Sequence, residues 1–256
     1  MRKTFISALL IVLCAVPLAL AKDQSDEPAV PDQKAGLFDQ RGVDLGIALA
    51  AGKALRVYDF TRLNNRLMRG GADPFSGRID DWNFELNLVA PTEFFVAVNG
   101  GFWSQDTGGN PVSAELSGYE IFVHWGTALA DNDMVQVFPS FGIGYAEHTL
   151  TLKGGLHTLG LDNLPRSGET DLTQYGLLLE AALRADLYSA TPKKSAAAFL
   201  TVESLSLGWQ GIPVASDWKR GDRTVSGFGS ALNNLLFVRL NLGLGLGLRF
   251  SGEDES

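Results

Sequence analysis

The apolar run from Leu236 to Phe250 constrains the fold more than any other stretch of the chain. Its residues alternate with a period of two, which predicts a β-strand with two chemically different faces. The large face holds Val238, Leu240, Leu242, Leu244, Leu246, Leu248 and Phe250, and the other holds Arg239, Asn241, Gly243, Gly245, Gly247 and Arg249. Leucines suit a lipid-facing surface, whereas glycines and arginines suit a crowded barrel lumen. The run therefore predicts one strand of a transmembrane β-barrel.

The same alternation recurs along the chain and predicts about eight strands. The other segments are 43–52, 82–90, 94–103, 114–128, 135–152, 173–188 and 198–211. The connections between them alternate between longer and shorter, which is typical of long extracellular loops and short periplasmic turns. We therefore predict an all-β fold, an antiparallel up-and-down transmembrane β-barrel over residues 42–250 with both termini in the periplasm.

Two places depart from simple alternation. Pro139 lies inside a predicted strand, and because proline cannot donate to a ladder it indicates a bulge or bend. Leu200 and Val202 fit one phase of the next-to-last strand, whereas the apolar residues after them fit the other. A bulge near Glu203 would reconcile the two phases.

One short helix is predicted in the first extracellular loop, from Asp59 as its N-cap to Arg69, and two glycines follow as a stop. Arg62, Arg66 and Arg69 share one face of this helix. Three interpretations stay open. The arginines contact lipopolysaccharide phosphates at the outer leaflet, they enter the barrel mouth and pair with lumen carboxylates, or they form a solvated face.

The N-terminal segment has the pattern of an export signal. A basic start, an apolar middle and a small-residue end predict a cleaved signal peptide over residues 1–21. Residues 22–41 are polar and aperiodic and predict a flexible periplasmic leader, and residues 251–256 predict a periplasmic tail. The single cysteine, Cys14, lies inside the signal peptide, so we expect no disulfide and no lipid anchor.

The charge balance limits the classes of partner. Acidic residues number 29 and basic residues 21, and removal of the signal peptide takes away two of the basic ones, which leaves a formal charge of −10. This excess argues against a nucleic-acid partner. No stretch after the signal peptide has the roughly 18 apolar residues of a membrane helix, so a membrane location would require a closed barrel.

Ionisable residues on the small or polar strand faces are expected in the barrel lumen. The set is Asp44, Glu85, Glu120, His124, Glu180, Arg184, Asp186, Arg239 and Arg249. The lumen of a barrel of about eight strands is filled by side chains, and buried charges need partners. Two interpretations follow: a salt-bridge network that plugs the barrel, or a narrow polar conduit. Glu180 and Arg184, four residues apart on one strand, should both point inward, and they are the two residues to test first.

No catalytic motif stands out. The residues available for a hydrolytic triad are His124, His148, His157, Ser140, Ser167 and Asp162. Their spacing marks no nucleophile, and the chain has no Gly-x-Ser-x-Gly elbow. Metal-ligand spacings and phosphate-binding loops are also absent from the sequence. We therefore expect no enzymatic activity, no metal and no cofactor.

The last strand resembles the C-terminal insertion signal of bacterial outer-membrane proteins, with Gly245, Leu248 and Phe250 at the matching positions. Short stretches elsewhere resemble an uncharacterised group of small outer-membrane barrels. These stretches are 59–64, 118–119, 139–144 and the final Gly-Leu-Gly repeat. The resemblance implies an integral outer-membrane location, insertion by the barrel-assembly machinery, and contact with outer-membrane lipid and lipopolysaccharide. It implies no activity.

The sequence thus predicts a monomeric outer-membrane barrel with a structural, surface-interaction or narrow small-solute conduit role. An outer-membrane lipid-modifying enzyme is the second hypothesis. The third is a secreted β-barrel that binds lipid in its interior, and this hypothesis requires the large apolar residues to point inward.

Overall fold

A computed structural model describes residues 45–89, 94–131, 135–161, 164–190, 197–233 and 235–248. These ranges contain β1 (Leu45–Val57), helix α1 (Thr61–Arg69), β2 (Arg78–Val89), β3 (Phe94–Thr107), β4 (Val112–Thr127), β5 (Ala130–Asp131), β6 (Val135–Gly154), a 3₁₀ turn (Leu156–Leu159), β7 (Gly168–Ala190), β8 (Ala197–Ala215), β9 (Trp218–Arg220), β10 (Arg223–Val225) and β11 (Leu235–Leu248). The predicted signal peptide, leader and tail lie outside the described residues, as do Asp44, Arg249 and Phe250.

Eight of these strands close into a barrel. Each pairs antiparallel with the next in the order β1, β2, β3, β4, β6, β7, β8 and β11, and β11 pairs with β1. We call the pairing of β1 with β11, which closes the barrel, the seal. It runs from Leu45 opposite Leu248 to Val57 opposite Leu236. The prediction of an all-β antiparallel barrel of eight strands with one short helix is confirmed.

The two ends of the barrel differ. We call the end where β1 begins and β11 ends the termini end, and the opposite end the loop end. Segments 58–77, 155–167 and 216–234 connect strands at the loop end. The fourth connection there spans only residues 108–111, because β3 and β4 continue through most of the loop predicted at 104–113.

Several predicted strand ends were too early or too late. β1 continues to Val57 rather than stopping at residue 52, and β2 already begins at Arg78. The predicted bulge near Glu203 is wrong, because the register of β7 and β8 shifts instead between Leu177 and Leu179. The apparent phase change arises because Leu200 and Val202 are buried inside the barrel, in phase with the polar residues that follow.

Pro139 does mark an irregularity, on the strand opposite. The ladder between β4 and β6 ends at Gly126 and Ser140, immediately beside Pro139. Pairing resumes as β5, with Ala130 opposite Val137, one residue out of step. Since proline has no N–H to contribute, the neighbouring chain loops past it.

Helix α1 lies across the loop end. Phe60 occupies the cap position predicted for Asp59, but the Asp59 carboxylate accepts a hydrogen bond from the Thr61 N–H at 3.0 Å. This bond with Thr61 lowers the pKa of Asp59. Leu63 and Leu67 are fully buried against the barrel interior. The helices in the described part of the chain are too short or too polar to cross a bilayer.

Candidate functional site

The outer face of the barrel is apolar over much of its height. On β11 the leucines from Leu236 to Leu248 are all more than half exposed, and Leu244 is 72% exposed. Phe84, Phe141 and Leu183 continue this belt on other strands. A contiguous exposed surface of this kind is the lipid-facing surface of a membrane barrel. The large residues therefore point outward, opposite to what a secreted barrel with a lipid in its interior would require.

The lumen carries a buried charge network. All the predicted lumen residues within the described ranges are buried with their side chains inside: Glu85, Glu120, His124, Glu180, Arg184, Asp186 and Arg239. Their outward neighbours belong to the apolar belt. This placement follows from the period-two alternation of each strand.

The first group of ion pairs, nearest the termini end, forms around Arg184. Its guanidinium donates two hydrogen bonds to Glu85, both at 2.8 Å, and its Nε donates to Asp186 at 2.7 Å. Tyr188 donates its hydroxyl to the other oxygen of Asp186. The arginine thus bridges two strands on opposite sides of the lumen, β7 and β2.

The second group of ion pairs, in the middle of the lumen, forms around Glu180. Arg239 donates to both of its oxygens, at 3.2 and 2.9 Å, and His124 Nε2 lies 3.0 Å from Oε1. His124 reaches Glu180 across Gly142, where an added Cβ would lie 2.2 Å from the imidazole. Glu180 and Arg184 both point inward, but they do not bond to each other. Four residues along a strand span roughly 13 Å, so each residue pairs across the lumen instead.

A third group, nearer the loop end, is built around Arg56. This arginine contacts Glu120 and Asp81, with Nε 2.7 Å from Asp81 Oδ2, and donates to Gln210 at 2.9 Å. Tyr58 also donates its hydroxyl to Glu120. The sequence interpretation missed Arg56 and Asp81, because each lies just beyond a predicted strand end. Extending the alternation of β1 through Ala54 would have found Arg56.

Apolar side chains close the lumen at both ends. At the termini end Leu200 and Val202 pack with Tyr188 and Ala48. At the loop end the larger core lies beneath α1 and includes Trp103, Trp218 and Phe237 together with the buried helix leucines. The charge network is therefore enclosed between two apolar layers.

The arginine row on α1 does not enter the lumen. Arg62 and Arg69 are exposed, and Arg66 donates through Nη2 to the Gly160 carbonyl at 2.8 Å. Within the described ranges none of the three forms an ion pair with a lumen carboxylate. The barrel-mouth interpretation is wrong, because the helix turns its leucines inward and its arginines outward.

The triad candidates are scattered. Ser140 donates to the Ala182 carbonyl rather than to a histidine. His148 is buried against Trp103, and His157 lies on the 3₁₀ turn beside the Arg166 carbonyl. Ser167 is exposed in the loop before β7, and Asp162 lies outside the described residues. No group of three or more metal-ligating side chains forms within the ranges the structure covers.

The candidate insertion signal is only partly described. Gly245 lies opposite Ala48 of β1 in the seal, and Leu248 is exposed at the termini end. Phe250 is not among the described residues.

Comparison with known proteins finds similarity only among solved structures. No family model matches the chain, and no curated protein is similar to it in sequence. The structure of the attachment invasion locus protein Ail of Yersinia pestis is 8% identical with a TM-score of 0.46, and the match covers 79% of this chain and 99% of that one. Neisserial surface protein A is 9% identical with a TM-score of 0.34 over 80% of this chain and 97% of its own.

A major outer membrane protein from Thermus thermophilus is 15% identical with a TM-score of 0.34, over 79% and 99% of the two chains. At these identities and scores no conclusion rests on the likenesses. The strand pairing and the exposed belt of the chain itself carry the assignment: it is an eight-stranded antiparallel β-barrel of the outer-membrane type.

Proposed function

We propose that the protein is a monomeric integral barrel of the bacterial outer membrane, exported through a cleaved signal peptide, whose role is structural or surface-interacting. The observation that carries this proposal is the closed lumen. Three ion-pair groups fill it, and apolar clusters containing Leu200 at one end and Leu67 at the other cover them. A small-solute conduit would need a continuous polar path, so we do not favour the conduit.

Conductance across a planar bilayer tests the closed lumen. The parent protein is expected to give no stable single-channel current. Arg184→Ala serves as a variant that opens space in the lumen, and Arg69→Ala as a matched control on the exposed helix face. Stable current from the parent and its control, reduced or altered in Arg184→Ala, would establish a conduit and contradict the proposal.

The surface-interaction role rests on the loop end. There α1 presents Arg62 and Arg69 to solvent, whereas Arg66 is half-buried and donates to the Gly160 carbonyl. Guanidinium groups bind phosphate through charge-assisted, bidentate hydrogen bonds. This supports lipopolysaccharide phosphate as the partner.

A lipopolysaccharide binding assay on the folded barrel tests this partner. Arg62→Gln should weaken binding, and the weakening should shrink at high salt. Lys153→Gln, which changes an exposed cation on the outer face of β6, is the control. Equal binding by the parent and Arg62→Gln would remove the proposed contact.

The proposal includes no catalysis. His124 is engaged by Glu180 and Ser140 by a backbone carbonyl, which gives no support for a nucleophile and base. Lipid A isolated from cells with and without the protein should have the same composition, and a modified lipid A species that depends on His124 would establish an enzyme instead.

A further inference from the structure

Three tyrosines surround a carboxylate on the outer face of the barrel. Glu147 of β6 lies opposite Tyr119 of β4 on one side and opposite Tyr175 of β7 on the other. Tyr145 precedes Glu147 by two residues and, like the exposed Ile143, lies on the same outward face of β6. We call Tyr119, Tyr145, Glu147 and Tyr175 the tyrosine–glutamate cluster. It lies on the opposite side of the barrel wall from the lumen charge network.

The rings of the cluster lie close to one another and to the carboxylate. Tyr119 donates its hydroxyl to Glu147 Oε2 at 2.7 Å. The centroid of the Tyr145 ring is 6.4 Å from that of Tyr119, with the ring planes tilted by 50°, and 6.2 Å from that of Tyr175, with the planes stacked at 26°. Glu147 is only 8% exposed on this outer face, whereas Tyr119 is 40% exposed. The cluster therefore presents mainly aromatic surface, with the carboxylate beneath it.

The cluster combines aromatic faces with one formal negative charge. The other outward positions around Glu147 on β4, β6 and β7 hold neutral side chains: Ser117, Ile121, Thr149, Thr173 and Leu177. An aromatic face attracts a cation through its quadrupole, and a nearby carboxylate attracts the cation further. The arrangement is complementary to a cation that contacts the ring faces.

The cluster lies at the edge of the apolar belt. Toward the termini end, the outward residues of β6 are the exposed Phe141 and Ile143. Toward the loop end they are Thr149 and Thr151, and Thr151 donates to the Asp171 carboxylate of β7 at 2.7 Å. Tyrosine is typical of such a boundary between lipid and water, since its ring is apolar and its hydroxyl polar. A ligand at the cluster therefore lies at headgroup depth rather than among acyl chains.

We propose that the tyrosine–glutamate cluster binds a quaternary ammonium group, supplied by a choline lipid headgroup or by free choline. A trimethylammonium group has no N–H donor and contacts aromatic faces through its methyl groups, whereas a primary ammonium is strongly hydrated and requires acceptors. Because Glu147 is covered and accepts the Tyr119 hydroxyl, the exposed ring surface favours the methylated cation. This site is separate from the lipopolysaccharide contact proposed for α1.

Saturation-transfer NMR tests the site, with the full chain folded in neutral maltoside micelles and titrated with choline. The matched probe is the neutral isostere of choline in which carbon replaces nitrogen, because it has the same shape without the charge. Choline should bind about tenfold more tightly, the combined effect of the ring faces and the carboxylate. Equal binding of the two probes would overturn the site.

Variants at the cluster make the result specific. Glu147→Gln keeps an acceptor for the Tyr119 hydroxyl but removes the charge, and should reduce the preference for choline to about threefold. Tyr119→Leu should weaken choline binding about fivefold, whereas Tyr119→Phe keeps the ring and should bind like the parent. Glu115→Gln, which changes an exposed carboxylate of β4 outside the cluster, is the control. A preference for choline that is unchanged in Glu147→Gln or Tyr119→Leu would overturn the site.

Native mass spectrometry distinguishes the two sources of choline. A lipid headgroup in the site predicts that the parent retains phosphatidylcholine better than phosphatidylethanolamine of the same acyl chains, and that Glu147→Gln loses this difference. Equal retention of the two lipids by a parent that binds choline assigns the site to free choline. Failure of the parent to insert into vesicles would overturn the membrane proposal and leave the choline measurement unaffected.

Discussion

The two halves of the barrel follow opposite rules. Toward the termini end, β6 points Ile143 outward to lipid and places Gly142 inside, beneath His124 and Glu180 of the neighbouring strands. Toward the loop end of the same strand, Thr149 and Thr151 point outward, and Leu150 and Leu152 are fully buried inside. The first part of the strand thus has apolar side chains outside and polar groups inside, and we call this part of the barrel the inside-out half. The second part has polar side chains outside and apolar ones inside, as in a soluble protein, and we call it the soluble-like half.

The change from one arrangement to the other occurs at about the same height on neighbouring strands. Outward aromatic side chains lie along it on neighbouring strands: Trp82, Phe102, Tyr119, Tyr145 and Tyr175. Aromatic girdles of this kind mark the interface between lipid and water in barrels. The barrel therefore extends beyond the bilayer at its loop end, where water replaces lipid outside and an apolar core replaces ion pairs inside.

The largest effect is expected from breaking an ion pair in the inside-out half. Arg184→Ala leaves Glu85 and Asp186 buried without their cation, and removal of one partner of a buried pair costs about 3–5 kcal/mol. Urea unfolding of the vesicle-inserted barrel, followed by tryptophan fluorescence, measures the loss. Arg69→Ala on the exposed face of α1 is the control. A loss as small as that of the control would mean that the ion pairs do not hold this half together.

A charge introduced on the outer face should impair membrane insertion in one half of the barrel and not in the other. Leu183→Arg places a cation in the apolar belt between Pro139 and Leu207, at a cost of about 2–4 kcal/mol near the bilayer midplane, and should impair insertion into vesicles. The matched change Thr149→Arg lies beyond the aromatic level and should insert like the parent. Similar insertion of both variants would refute the assigned lipid boundary.

The smallest expected effect tests the soluble-like half. Ile79→Val removes one buried methylene from the inward face of β2, and such changes cost about 0.5–1.5 kcal/mol. Ile143→Val makes the same change on a lipid-exposed side chain and should cost less. The two variants are compared by the same urea unfolding assay, and a larger loss for Ile143→Val would invert the comparison.

The sequence predicts the inside-out half well, because lipid outside and charge inside give a strong alternation. It fails at the loop end for a physical reason. There outward residues such as Arg78 and Asp106 are polar because water replaces lipid, so the alternation reverses and resembles a loop. This is why β2 and β3 were predicted too short.

The buried charge network in the lumen could also be predicted only in part. Alternation places Glu180 and Arg184 in the lumen but cannot identify their partners, because these come from strands far apart in sequence. Arg56 and Asp81 were missed since each lies where a strand continues past its predicted end. The loop-end core draws Trp218 and other residues from connections between strands, which no periodicity marks.

Membrane fractionation tests the central claim most directly. The proposed outer-membrane barrel should remain in the outer-membrane fraction after washes with salt and alkali. It should be extracted only by detergent, and its gel mobility should change when the sample is boiled. Release into the soluble fraction without detergent would contradict the lipid-facing assignment of Leu236–Leu248 and with it the whole account.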